Sequence, residues 1–205
     1  MLRPLRRQQK QKGTAVPRPS NREVAPLRVL LRLSGLIDAV NDGIGKLVYW
    51  LVLVAVVVSS ANAVIRYALN TSSNAWLELQ WYLFSAVFLL CAGYTFQRNE
   101  HIRIDIILGR FSKKVQAAVD VFGIIVFMFP MTLIIMVLSW PMFMDSFHTN
   151  EMSSDAGGLI RWPAKFLIPA GFFLLTAQGV SELIKRIAYL TGHRDEPGEK
   201  MHSHS

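Results

Sequence analysis

The sequence predicts an all-α membrane protein with four transmembrane helices, both termini in the cytoplasm (N-in/C-in) and an N-terminal amphipathic interfacial helix. Three observations predict it. Hydrophobic residues make up 52% of the 205 and charged residues only 18%, a more apolar balance than a soluble domain of this size requires. The apolar residues fall in runs of about twenty between charged punctuation, the length that crosses a ~30 Å hydrocarbon core. Lys and Arg also alternate between connections: ten precede the first run and five lie between Gln97 and Gln116, against one, Arg66, in the first connection. The positive-inside rule then places both termini and the middle loop in the cytoplasm of a multi-pass protein of the bacterial inner membrane.

Residues 1–26 are rich in Arg, Gln, Lys and Pro with almost no large apolar side chains, so they cannot offset the entropy of ordering and read as a disordered basic cytoplasmic arm. In 27–46, Leu30, Leu33, Leu36, Ile37, Val40 and Ile44 recur at three- and four-residue steps, with Arg32, Asp38, Asn41 and Asp42 between them. That spacing predicts an amphipathic helix, lying along the cytoplasmic leaflet or against a partner, or else simply extending the first span. The membrane domain occupies 47–190. Its first span, 47–65, is nearly all Val, Leu and Ala, with Ser59, Ser60 and Asn62 towards its far end. Ala61-Asn62-Ala63 resembles a signal-peptidase site, but the basic stretch ahead is too long for a signal n-region and further spans follow. The second span, 76–96, opens on an aromatic belt of Trp76, Trp81 and Tyr82, with Glu78 and Gln80 making its first turns amphipathic. The third, 117–140, is the most hydrophobic; Asp120 lies near its mouth, and Pro130 predicts a kink by removing a backbone hydrogen bond. The fourth, 166–183, carries Pro169 and Gly171 early and Gln178 and Ser181 late. Residues 191–205 read as a polar cytoplasmic tail, whose closing His-Ser-His-Ser is solvated.

Chemistry is scarce in these spans. Ionisable groups at bilayer depth mark proton relays, ion paths and ligation sites, and the span cores hold none; Glu78, Asp120 and Glu182 fall near expected interfaces, where they read as solvated or facing a partner. His101, His148, His193, His202 and His204 all lie in loops or the tail, so no pair can clasp a haem between two helices. The single Cys91 supplies neither a disulfide nor a Cys-x-x-Cys pair. No glycine-rich nucleotide loop is present. The reading is therefore no catalytic residue, no cofactor and no metal. The net charge of +8 sits beside apolar spans, which points to the lipid bilayer and not to nucleic acid.

Two loops carry more detail than a connection needs. Asn99-Glu100-His101-Ile102-Arg103-Ile104-Asp105 alternates charged and apolar residues in the middle loop, where Arg103 and Asp105 are placed to pair or to cap the next helix. Ser153 to Pro163 is periplasmic in this topology; Gly157 and Gly158 allow a tight turn and Trp162 anchors at the headgroups.

Together with Arg66-Tyr67 closing the first span, Trp76-Leu77-Glu78-Leu79-Gln80 opening the second, and Trp162-Pro163 and Ile168-Pro169-Ala170-Gly171 leading into the fourth, these loops resemble the small membrane subunit of tripartite ATP-independent periplasmic (TRAP) transporters, the DctQ-like family. The likeness runs from about Ile44 to Ala188, and the middle-loop motif is its most specific part. Gly157 to Pro163 and Gln178-Gly179-Val180-Ser181-Glu182 look most similar to the branch that handles mannitol, chloroaromatic compounds and 2-oxoacids. The basic arm before Leu27 departs from the family's compact core.

The resemblance implies a division of labour. A periplasmic substrate-binding protein captures an organic acid, a large TRAP membrane subunit carries the substrate and sodium sites, and the small subunit braces it. This chain is then a binding partner, with Glu78, Gln80, Asn99, His101, Arg103, Asp105, Gly157, Gly158, Trp162 and Pro163 as candidate interface residues. The loop from Asn150 to Pro163 either docks the binding protein, with Glu151 and Asp155 as rim charges, or merely joins two helices. The alternatives are a membrane anchor of a respiratory enzyme, with a quinone pocket near Trp81, Tyr82 or Trp140, and a small homo-oligomeric exporter or channel. The second requires a polar stripe through a whole span, which Ser59, Ser60, Asn62 and Ser85 do not form.

Overall fold

The computed structural model describes residues 24–70, 73–98 and 111–193. Four helices run up and down: α1 (Val24–Leu69), α2 (Asn74–Gln97), α3 (Lys113–His148) and α4 (Trp162–Leu190). All four are long and apolar enough to cross a membrane, in agreement with the predicted all-α fold of four spans. Helix α4 is the hub, packing on α1, α2 and α3, while α1 and α2 pack along each other.

The chain is inside out relative to a soluble bundle. Its buried hydrophobic residues are few and mostly small, Val48, Ala55, Ala117, Ile124, Phe143 and Ala188, while Leu36, Val57, Phe88, Phe127, Leu138 and many other large apolar residues are exposed. Lipid tails are as apolar as leucine, so burying leucine gains little in a membrane. What draws helices together there is close packing of small residues and hydrogen bonds between polar ones. Gly171 shows the first: a Cβ added to it would lie 2.7 Å from the Leu89 carbonyl oxygen of α2.

Residues 27–46 are helical, as predicted, but they and the first span form one unbroken helix of 46 residues. At 1.5 Å per residue such a helix is about 69 Å long, more than twice a ~30 Å hydrocarbon core, so α1 tilts or projects beyond one face. Its inward face differs from the apolar one the periodicity suggests. Ser34, Asn41, Val48, Ala55 and Asn62 are buried at strict seven-residue spacing, with Ile37, Ile44, Leu51 and Val58 half-buried three residues after each of the first four. That is a heptad seam, the repeat of a left-handed supercoil. Leu30, Leu33, Leu36 and Val40 point outward.

Helix α3 opens on Ser112, whose Oγ accepts from the Val115 N–H at 3.5 Å, an N-cap that satisfies one of the orphan donors of the first turn. At Ile124–Met128 the helix widens into a π turn, just ahead of Pro130. Proline has no N–H to offer the carbonyl four residues back and its ring crowds that carbonyl; a π turn shifts the bonding register and absorbs the mismatch. The kink expected at Pro130 is thus a π turn, and α3 continues through Pro141 to His148, eight residues beyond the predicted end of the span at 140. Helix α4 likewise exceeds its predicted 166–183 at both ends.

Candidate functional site

Polar side chains concentrate in three places. The first is the end of the bundle that carries the chain termini. Asn41 Nδ2 donates to Gln178 Oε1 at 2.8 Å, Gln178 Nε2 donates to Asp38 Oδ1 at 2.9 Å, and Ser181 Oγ donates to the same oxygen at 2.7 Å. The Ser34 and Ser181 hydroxyls lie 2.7 Å apart. Lys185 Nζ bridges Asp38, at 2.6 Å, and Glu182, at 2.7 Å. Arg186 pairs with Glu182 and donates from Nε to Asp120 of α3 at 3.0 Å. The side chains of Glu182 and Arg186 are each 2% exposed. One continuous network therefore joins α1, α4 and α3. Its members share helical faces: Ser34, Asp38 and Asn41 on one, and Gln178, Ser181, Glu182 and Lys185 on the other. Asp120 and Glu182, expected to be solvated or to face a partner, are instead paired within the chain, because α4 continues past Leu183 and brings Lys185 and Arg186 back onto them.

At the opposite end, the loop between α3 and α4 folds onto the start of α2. Glu78, 9% exposed, accepts from the Leu159 N–H at 2.6 Å and from the Ser153 hydroxyl. Asn74 Nδ2 donates to the Ala156 carbonyl at 3.0 Å, and the Tyr82 hydroxyl to the Ile160 carbonyl at 3.1 Å. The loop itself is closed by an antiparallel bridge between Met152 and Ile160. Gly157 sits at φ +74°, the left-handed region where a Cβ is strained, and a Cβ on Gly158 would lie 2.7 Å from Glu78 Oε1. The Lys165 ammonium pairs with Glu151 and holds its carboxyl below the ordinary carboxylate range. Trp162 packs edge-on to Phe147 at 5.4 Å, and Pro163 occupies the first turn of α4.

The third place is a groove of about 500 Å³ between the end of α1 and the start of α2, lined by Ser59, Asn62, Arg66, Asn70 and Gln80 among others. Asn70 closes α1 at φ +46°. Unlike the other two regions, no hydrogen bond or ion pair joins these polar side chains to any described residue.

The candidate interface residues therefore divide. The structure brings Glu78, Gly158 and Trp162 into the fold of the loop between α3 and α4, with Gly157 and Pro163 shaping its backbone. Gln80 faces the groove. Asn99, His101, Arg103 and Asp105 lie outside the described residues. Sequence reasoning passed over the pairing of Asp38, Gln178, Lys185 and Arg186; its signal was the matched polar faces of two helices, which a search for apolar periodicity does not register.

No curated protein and no solved structure matches the chain. The family model for tripartite ATP-independent periplasmic transporters, DctQ component, matches residues 47–188 and names no branch. That span takes in the second half of α1, α2, α3, nearly all of α4, the clamped loop, the groove and the α4 side of the polar network, so the chain belongs to the DctQ family and is the small permease component of a TRAP transporter, a multi-pass inner-membrane protein.

Proposed function

We propose that this chain is the static brace of its transporter: it holds the large membrane subunit during sodium-coupled uptake of an organic acid that a periplasmic binding protein delivers. The observation that carries this reading is the network of Asp38, Gln178, Glu182, Lys185, Arg186 and Asp120. Ionisable groups near membrane depth usually line a path for ions or substrate. Here they tie α1, α4 and α3 to one another, which suits a frame that must keep its shape while a neighbour moves. The apolar outer faces of α1 and α3 offer that frame a broad surface for lipid or for the large subunit.

Both termini and the middle loop are cytoplasmic in this reading, supported by Arg28, Arg32, Lys46, Arg98, Lys113 and Lys114 at the terminal end against Arg66, Arg161 and Lys165 at the other. The clamped loop of 150–163 then faces the periplasm, where Asp155 stands as a rim charge for the binding protein. Residues 1–26 remain a cytoplasmic arm in this scheme.

Reconstitution tests the reading. Proteoliposomes holding the large subunit and this chain, with binding protein outside, take up organic acid on a sodium gradient, and those holding either membrane subunit alone do not. Uptake by this chain alone contradicts it. For topology, Asp155→Cys in a Cys91→Ser background is labelled by an impermeant maleimide from the periplasmic side; labelling only after membrane disruption reverses the orientation.

A further inference from the structure

We infer that the groove between α1 and α2 is a docking slot for a transmembrane helix of the large subunit that carries a carboxylate opposite Arg66. The inference rests on the brace reading and names the part of the chain that does the bracing.

Asn62 is 7% exposed, and its amide opens onto the groove with no hydrogen-bond partner among the described residues. An amide facing an apolar medium without a partner costs free energy. Arg66, in the last turn of α1, has no acidic partner among the described residues either, whereas Lys165, Lys185 and Arg186 each pair with a carboxylate. Gln80 completes the far wall from α2. The groove thus presents a guanidinium fork and two amides, a donor-rich set that an anionic oxygen acceptor complements.

Three occupants could bring such an oxygen. A phospholipid phosphate reaches Arg66 at the headgroup level, but the polar lining continues to Ser59, seven residues or about 10 Å deeper, where a lipid offers only acyl chain. A soluble binding protein reaches Arg66 and Asn70 at the mouth and leaves Asn62 unsatisfied. A helix bearing an Asp or Glu near its end, with a polar residue one or two turns deeper, serves the whole row, because side chains three and four residues apart share a helix face. Asn62 is also the last buried position of the heptad seam of α1, so an incoming helix would pack against a pattern already set.

The test uses the whole complex in its native membrane. A photoreactive benzoylphenylalanine replacing Ala63, an exposed groove residue, is expected to cross-link to the large subunit, within one turn of an Asp or Glu when mapped by mass spectrometry. The same probe replacing Ile134, exposed on α3, serves as the comparison and gives a different adduct. Arg66→Glu is expected to lower the Ala63-site adduct and the co-purified large subunit at least about tenfold, and reversing the mapped acid to Arg restores both. The isolated Arg66→Glu chain keeps its thermal unfolding midpoint, since Arg66 has no described internal partner. Adducts to lipid, to the binding protein or to a second copy of this chain, or no adduct while the large subunit still co-purifies, overturn the slot and leave the brace reading standing. Absence of any large subunit from the purified wild type sinks the brace reading itself.

Discussion

The two ends of the bundle handle polar side chains in opposite ways. Near the termini, Asp38, Gln178, Ser181, Lys185, Arg186 and the amide nitrogen of Asn41 find partners on neighbouring helices of the same chain, and Glu182 pairs with Lys185 and Arg186 along α4. At the far end of the same helix α1, Ser59, Asn62 and Arg66 line a groove and have none among the described residues. Both sets obey one rule, that polar groups in an apolar medium must be satisfied. The first satisfies it, Asn41 Oδ1 excepted, by closing the chain on itself, and in the slot reading the second is satisfied when another chain arrives. Polarity at the terminal end therefore supports the stability of the subunit, and polarity at the groove supports assembly.

Substitutions separate these roles. The largest effect on the isolated chain is expected from Glu182→Ala, which strips Arg186 and Lys185 of a buried counter-ion; loss of one member of such a pair costs about 3 kcal/mol or more, read as an earlier transition in SDS or heat unfolding. Replacing Glu182 and Arg186 together by Leu recovers part of that loss, because no charge is then stranded in that pair. Next comes Gly171→Ala, whose Cβ meets the Leu89 backbone; such overpacking costs about 1–3 kcal/mol, whereas Gly43→Ala, with open space around it inside α1, does not lower the transition, since alanine favours the helix.

Glu78→Gln keeps the shape of the loop clamp and weakens its charge-assisted bonds to Leu159 and Ser153. About 1 kcal/mol of loop closure is lost, expected as a roughly fivefold faster tryptic cut after Arg161. Asn62→Leu sharpens the contrast from the other side: in the isolated chain it changes stability by less than about 0.5 kcal/mol, while co-purification of the large subunit falls. The smallest effect is a pH dependence. Glu151 has its pKa lowered by the Lys165 hydrogen bond, so the stabilisation it contributes is present above the ordinary value of 4.5 and fades as pH falls through the lowered one. Wild type is expected to melt slightly above Glu151→Gln at pH 6 and level with it in strong acid, and a gap that persists in acid contradicts this. The pair is solvent-accessible, so the gap is small.

The four spans were legible because a run of about twenty apolar residues has few uses other than crossing a bilayer. The continuity of α1 was harder to read. Asp38, Asn41, Asp42 and Lys46 break its apolar run and suggest an interface, when Asp38 and Asn41 are in fact the inward side. The row Ser34, Asn41, Val48, Ala55, Asn62 carries no hydrophobic signal, since the buried face of a membrane helix is small and polar. Asp120 and Glu182 were visible one at a time, but their meeting through Arg186 is tertiary, Asp120 and Arg186 being 66 positions apart. Arg66 and Gln80 stood out by family likeness, and only the structure shows them lining one groove.

The most direct test of the central claim is to purify this chain from its native membranes in a gentle detergent and identify what stays bound. The brace reading predicts one much larger polytopic protein at equal stoichiometry, and the slot adds that it is lost on Arg66→Glu and retained on Glu78→Gln. A flavoprotein, haem or quinone in its place would contradict that reading and favour a respiratory anchor.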